Sequence, residues 1–172
     1  MSSPHPTVGL AADLDDRLAE ITTLAMNDTL DTYRKMTSPI ASAPPEIYLR
    51  RATELQRITL GSFGAAPQPR WLLGSMLPLM LSAGGIEIVA ITHAGWTTSP
   101  LWREASFLQV FTAEREEGWH AGIHRRAGRP PWLGAWRPGA DGALDERTRA
   151  AITNALCERA PGPALVQVPR RR

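Results

Sequence analysis

The chain holds one cysteine, Cys157, and one lysine, Lys35. A lone thiol excludes an internal disulfide framework and a multi-cysteine zinc site. It also suits a reducing compartment. Residues 1–7 lack the basic-then-apolar order of a secretory leader. No long uninterrupted apolar run occurs. Between residues 71 and 91 only Glu87 is charged, which is span enough for a bilayer. Gly74, Pro78 and the pair Gly84-Gly85 interrupt it, however, and the continuous part, 71–81, has the length of a buried segment of a soluble core. The expectation is a cytoplasmic protein with no membrane partner. Also missing are a glycine-rich phosphate loop, a dinucleotide fingerprint, a nucleophile elbow and any internal repeat. No cofactor is therefore expected.

With 172 residues, 43 % hydrophobic and 21 % charged, the chain has globular composition and enough length for a real core. A single domain over 1–172 is expected, with 1–9 and 169–172 as flexible tails. The net charge of +2 is carried almost wholly by arginine, whose planar fork binds carboxylates and phosphates. No acid lies between residues 118 and 140.

Periodicity supplies the elements. Leu10, Leu14, Leu18, Ile21 and Ala25 recur at helical spacing, with acids near the N-terminal end. Asn27-Asp28 then interrupts, so residues 10–36 read as one bent helix or two short ones. After a linker over 37–45, Pro44 and Pro45 are placed to open a helix with Tyr48, Ala52, Leu55 and Ile58 on its buried stripe and Gly61 at its end. Residues 71–81 favour a buried helix bent or ended near Pro78. Residues 86–93, rich in Ile and Val, read as a buried strand. Strands over 106–115 and 119–126 form a hairpin around a Glu116-Glu117-Gly118 turn. Residues 128–142 read as a Pro/Gly/Trp-rich loop, 144–158 as a helix with Leu144, Ile152 and Leu156 inward, and 164–168 as a short strand. The fold class is α+β: N-terminal helices packed on a small, mainly antiparallel sheet, with a C-terminal helix.

Five of six tryptophans and three of four histidines lie between residues 93 and 136. Tryptophan is over-used where one molecule grips another, so this stretch is the candidate working surface. His120 and His124 stand four apart. On a strand their backbones are ~13 Å apart, too far for one chelate with bonds of ~2.0–2.1 Å, and no metal site is assigned. Acid–base work suits histidine better, and His93 and His120 are the candidate catalytic residues. Trp96, Trp119, His124, Arg125, Arg126 and Trp136 are the candidate ligand-binding set, with arginine anchoring an anion and the indoles as walls. The plain alternative is that these histidines are half-buried sheet residues and the arginines are solvated.

The functional expectation is a binder of a small anionic or aromatic molecule. Whether it is also a cofactor-independent enzyme of lyase, isomerase or cyclase type stays open. A non-catalytic interaction module, homodimeric or joined to a protein partner, is the second reading. Single-stranded nucleic acid is third, disfavoured by the small overall charge and by Glu114, Glu116 and Glu117 nearby.

Overall fold

The computed structural model describes residues 16–52, 54–59, 77–82, 84–139 and 144–158. The helix start before residue 16, the loop over 61–69, residues 71–76, the strand expected over 164–168 and both expected tails lie outside them. The described residues form an α+β arrangement of a seven-stranded antiparallel sheet and helices before, within and after it.

Helix α1 (Asp16–Lys35) is one element, running through Asn27 and Asp28 without a break. Leu18, Ile21, Thr22, Ala25, Met26, Thr29 and Tyr33 are its buried stripe, the three- and four-residue spacing of an amphipathic helix. Asp28 does not end the helix because its carboxylate accepts hydrogen bonds from the sheet, from Tyr48 (3.2 Å) and Arg57 (3.1 Å).

A 3-10 turn (Ile40–Ser42) leads into β1 (Glu46–Arg51) and β2 (Glu54–Thr59). The helix expected after Pro45 is instead this hairpin. Its register runs from Glu46 opposite Thr59 to Arg51 opposite Glu54. Leu, Gln, Arg and Glu favour helix locally, but β1 is buried at five of six positions, and sheet packing overrides so weak a preference. The turn residue Ala52 has φ 49°, a left-handed conformation more often given to glycine or asparagine.

Helix α2 (residues 77–82) precedes β3 (Ile88–Trp96), β4 (Glu104–Phe111) and β5 (Glu116–His124). Strand order is β2-β1-β3-β4-β5, with the edge made by β6 (Trp132–Leu133) and β7 (Arg137–Pro138), both paired to β5. The β4–β5 connection is residues 112–115, because Phe111 pairs with Glu116. The expected turn at 116–118 is thus strand. Gly118 sits there for close approach, since a Cβ on it would lie 2.5 Å from the Gly139 carbonyl oxygen. The expected loop over 128–142 contains the edge strand. Helix α3 (Glu146–Cys157) is capped by Asp145, whose side chain accepts from Thr148 N at 2.8 Å. Leu144, Ile152 and Leu156 are all buried.

Alternation sorts the sheet into two faces. Tyr48, Ile88, Ala90, Leu108, Val110 and Trp119 share one buried cluster with Leu18, Ile21, Ala25 and Met26 of α1. The opposite face supplies Ile47, Leu49, Val89, Ile91 and Phe111 to a cluster with Leu77 and Leu81 of α2 and Ile152, Ala155 and Leu156 of α3. No helix among the described residues is long and apolar enough to cross a membrane.

The edge strand carries one extra residue. His124 pairs with Trp132 and Ile123 with Leu133, and Gly134 N donates to Gly122 O at 2.8 Å. Beyond this, His120 pairs with Arg137 and Trp119 with Pro138. Ala135 and Trp136 together therefore oppose Ala121, a β-bulge. It turns Trp136 toward the α1 side, where it packs against buried clusters, and Arg137 to the other face beside His120.

Candidate functional site

Residues 119 and 120 are adjacent on β5, so their side chains leave the sheet on opposite faces. That parity divides the aromatic cluster. Trp119 is 6 % exposed in the α1 core, and Trp136 packs at the same side. His93, His120 and His124 lie on the opposite face. Trp96 ends β3, exposed to solvent.

The arginines divide as well. Arg125 Nε donates to Glu104 Oε2 at 2.7 Å, and Arg125 NH2 donates to Ser38 O at 3.2 Å. Glu104 is 4 % exposed and also accepts from Ala41 N at 3.2 Å. Arg125 thus neutralises a buried carboxylate and ties β5 to the segment after α1. Arg126 is exposed in the loop after β5.

What the structure brings together is a small pocket on the face away from α1. Its volume is about 140 Å³ and its lining is Trp102, His120, Gly122, His124, Gly134, Ala135 and Arg137. His120 and His124 flank Gly122 on one strand face, and Arg137 lies opposite His120 in register. The bare glycine makes room for the wall. A Cβ on Gly122 would come within 2.6 and 2.7 Å of the Trp102 Cε3 and Cε2 atoms. Trp102 belongs to the β3–β4 loop, which Thr97 closes by donating its backbone N–H to the Arg103 carbonyl oxygen at 2.9 Å and its hydroxyl to the Trp102 carbonyl oxygen. His124 is held between two indoles. Its ring makes an edge contact with Trp102 (centroids 4.3 Å, 86°) and stacks on Trp132 (3.9 Å, 11°). Gly139 lies against the His120 ring, where an added Cβ would be 2.6 Å from Nδ1.

Among the described residues no carboxylate lines this pocket. Two imidazoles and a guanidinium surround it, groups that donate hydrogen bonds and, for arginine at all relevant pH, carry positive charge. Among the described residues no three His, Cys, Asp or Glu side chains are placed to hold a metal ion. The arrangement is suited to seating a small anion.

A polar layer on the α1 side is separate. Tyr33 O–H and Ser106 Oγ are 3.2 Å apart, while Tyr48 O–H donates toward Glu46 Oε2 at 2.8 Å. Burial, joined by the nearby Glu46 and Glu104 charges, pushes the Tyr33 phenol well above its ordinary value. Burial and the Glu46 hydrogen bond do the same to Tyr48. Arg57 is raised too, chiefly by its hydrogen bond to Glu46. These groups brace α1 to the sheet.

Of the expected site residues, His120 and His124 line the pocket. His93 stands two strands from His120, roughly 10 Å away. Trp102 and Arg137 belong to the aromatic- and arginine-rich stretch but are not among the expected site residues. The signal for Trp102 is Gly122, an empty position between two histidines on one face. Arg137 has no such signal, since its side depends on the bulge. Comparison with protein-family models, with curated protein sequences and with solved structures finds no match to this chain.

Proposed function

We propose that the protein binds a small organic anion, with a carboxylate or phosphate group seated between His120, His124 and Arg137. The observation that supports this reading is a pocket lined by three nitrogen-rich side chains and an indole, with no acid in its wall among the described residues. Its volume is well below the ~300–1,000 Å³ of sites that engulf a drug-sized ligand. Only the charged end of a ligand is therefore held inside. His120, rather than His93, is the imidazole in position to exchange a proton with such a ligand.

Isothermal titration with inorganic phosphate and with acetate tests the reading. Arg137→Ala and His120→Ala are expected to weaken binding about tenfold each, the effect of losing a charge-assisted hydrogen bond. Absence of binding in the unaltered protein, or full affinity in both folded variants, refutes it.

A second reading, a module that docks on a protein partner, is favoured by Trp96, Leu101 and Trp132, which are 68 %, 79 % and 47 % exposed. All three lie at or near the end of the sheet that carries the loops over 97–103 and 125–131. Light scattering tests self-association through this end. Concentration-dependent growth that shields the indoles supports a homodimer, and a concentration-independent monomer excludes it.

A further inference from the structure

We infer that the anion's ligand class is a flat aromatic ring bearing one anionic group, an aryl phosphate or aryl carboxylate. The inference rests on the anion-binding reading above and adds a seat for the rest of the molecule.

The seat follows from register. His93 pairs with Phe107, Phe107 with His120, and His120 with Arg137. Residues directly opposite on neighbouring strands point to the same face, so these four side chains form one row across four strands. With strands ~4.8 Å apart the row is about 14 Å long. Its chemistry is graded. The edge end is nitrogen-rich, with the Arg137 guanidinium and the His120 imidazole in the pocket wall. The inner end is aromatic, where the His93 and Phe107 rings lie 22° from parallel with centroids 5.3 Å apart.

Burial along β4 sets Phe107 apart. Of the eight β4 residues it alone is not fully buried. On its face, Ala105 is one position toward the Trp102 end and is 5 % exposed. Gln109 and Phe111, toward α3, are 1 % and 0 % exposed. Beyond them Arg149 of α3 holds Glu116 through two hydrogen bonds, at 2.7 and 3.0 Å. Among the described residues the covering on this face therefore thins at the Phe107 row, between the Trp102 loop and α3. A partly exposed phenyl one strand from the pocket that holds Arg137 offers an apolar floor next to the anion seat. Aromatic rings gain from offset stacking or edge contact beyond the area they bury, and Trp102 in the pocket wall presents a second such surface. An aliphatic tail would gain burial here but not the ring contacts.

The test compares three probes on the full chain by titration calorimetry: inorganic phosphate, phenyl phosphate and cyclohexyl phosphate. Phenyl phosphate is expected to bind about tenfold more tightly than inorganic phosphate and several-fold more tightly than cyclohexyl phosphate. Phe107→Leu, which keeps an apolar side chain of similar size, is expected to remove most of the phenyl advantage and leave inorganic phosphate affinity unchanged. If inorganic phosphate binds and phenyl phosphate binds no tighter, the aryl inference is overturned and the anion pocket stands. Equal affinity for the phenyl and cyclohexyl probes also overturns it, without recourse to any variant. Retention of the phenyl advantage in folded Phe107→Leu overturns the assignment of the seat. If none of the three probes binds, the anion reading falls and takes this inference with it.

Discussion

The contact between Gly122 and Trp102 can be tested by a double-mutant cycle. Gly122→Ala introduces a Cβ at 2.6 Å and 2.7 Å from two indole carbons, too close for a rigid ring to accommodate without moving. Forcing an extra carbon into a packed contact costs about 1–3 kcal/mol. Replacing a strand glycine by alanine returns about 0.5–1 kcal/mol through lost chain freedom in the unfolded state. The net expectation for Gly122→Ala alone is a loss of about 1–2 kcal/mol. In a Trp102→Ala background the obstruction is gone, and the same substitution is expected to be neutral or to stabilise by up to about 1 kcal/mol. The coupling energy is then about 2 kcal/mol, well above the ~0.5 kcal/mol within which independent sites add. Urea unfolding followed by far-ultraviolet circular dichroism measures it without depending on the indole removed. For a chain of this length Gly122→Ala alone lowers the melting temperature by about 2–8 °C. Equal costs in the two backgrounds would refute the claim that Trp102 lies on Gly122. Since His124 also touches Trp102, anion affinity is expected to fall in Gly122→Ala along with stability.

Two further perturbations probe the α1 side of the sheet. The chain has only two tyrosines, and both phenols are raised. Between the unfolded value near pH 10 and the higher folded values the unfolded chain binds fewer protons than the native one, so stability is full below about pH 10 and falls as pH rises above it. Tyrosinate absorbance is therefore expected to emerge only with cooperative unfolding, and a non-cooperative titration of either residue near pH 10 would contradict their burial. Arg125→Ala strands the Glu104 carboxylate, whose side chain is 5 % exposed. Because Arg125 is itself 42 % exposed, the cost is expected to be about 1–3 kcal/mol rather than that of a fully enclosed pair. Adding Glu104→Gln removes the stranded charge, and chemical denaturation is expected to show most of the loss recovered in the double variant.

Some of this architecture was legible in the amino acids. Ile and Val mark β3, the inward Leu144, Ile152 and Leu156 mark α3, and a hairpin is expected over 106–126 where β4 and β5 pair over 104–124. The β1–β2 hairpin was not legible. Its turn, at Ala52, lacks the residues that announce a reversal, and Tyr48, Ala52, Leu55 and Ile58 mimic a helical stripe by coincidence of spacing. Gly118 misled the hairpin turn because its role is to admit the Gly139 carbonyl from a neighbouring strand, a long-range demand that local pattern does not express. The division of Trp119 from His120 follows from strand parity alone once β5 is identified. Arg125 looked free for a ligand because its partner, Glu104, is 21 positions away in the chain.

The unpaired residue in the edge strand makes that segment sensitive to length in a way its neighbours are not. Deleting Ala135 would restore an even ladder against β5, and by backbone hydrogen bonding alone the shortened strand gains. It would also leave the two residues that follow on their present faces, Trp136 opposite Ala121 and Arg137 opposite His120; only sliding the full-length strand into an even ladder, with Ala135 opposite Ala121, would direct the indole into the pocket and the guanidinium toward the apolar layer beneath α1. Viable natural variants of residues 134–139 are therefore expected either to keep the bulge or to lose the one residue at 135, whereas the stretches over 97–103 and 125–131, which lie beyond the paired strands, are free to vary one residue at a time.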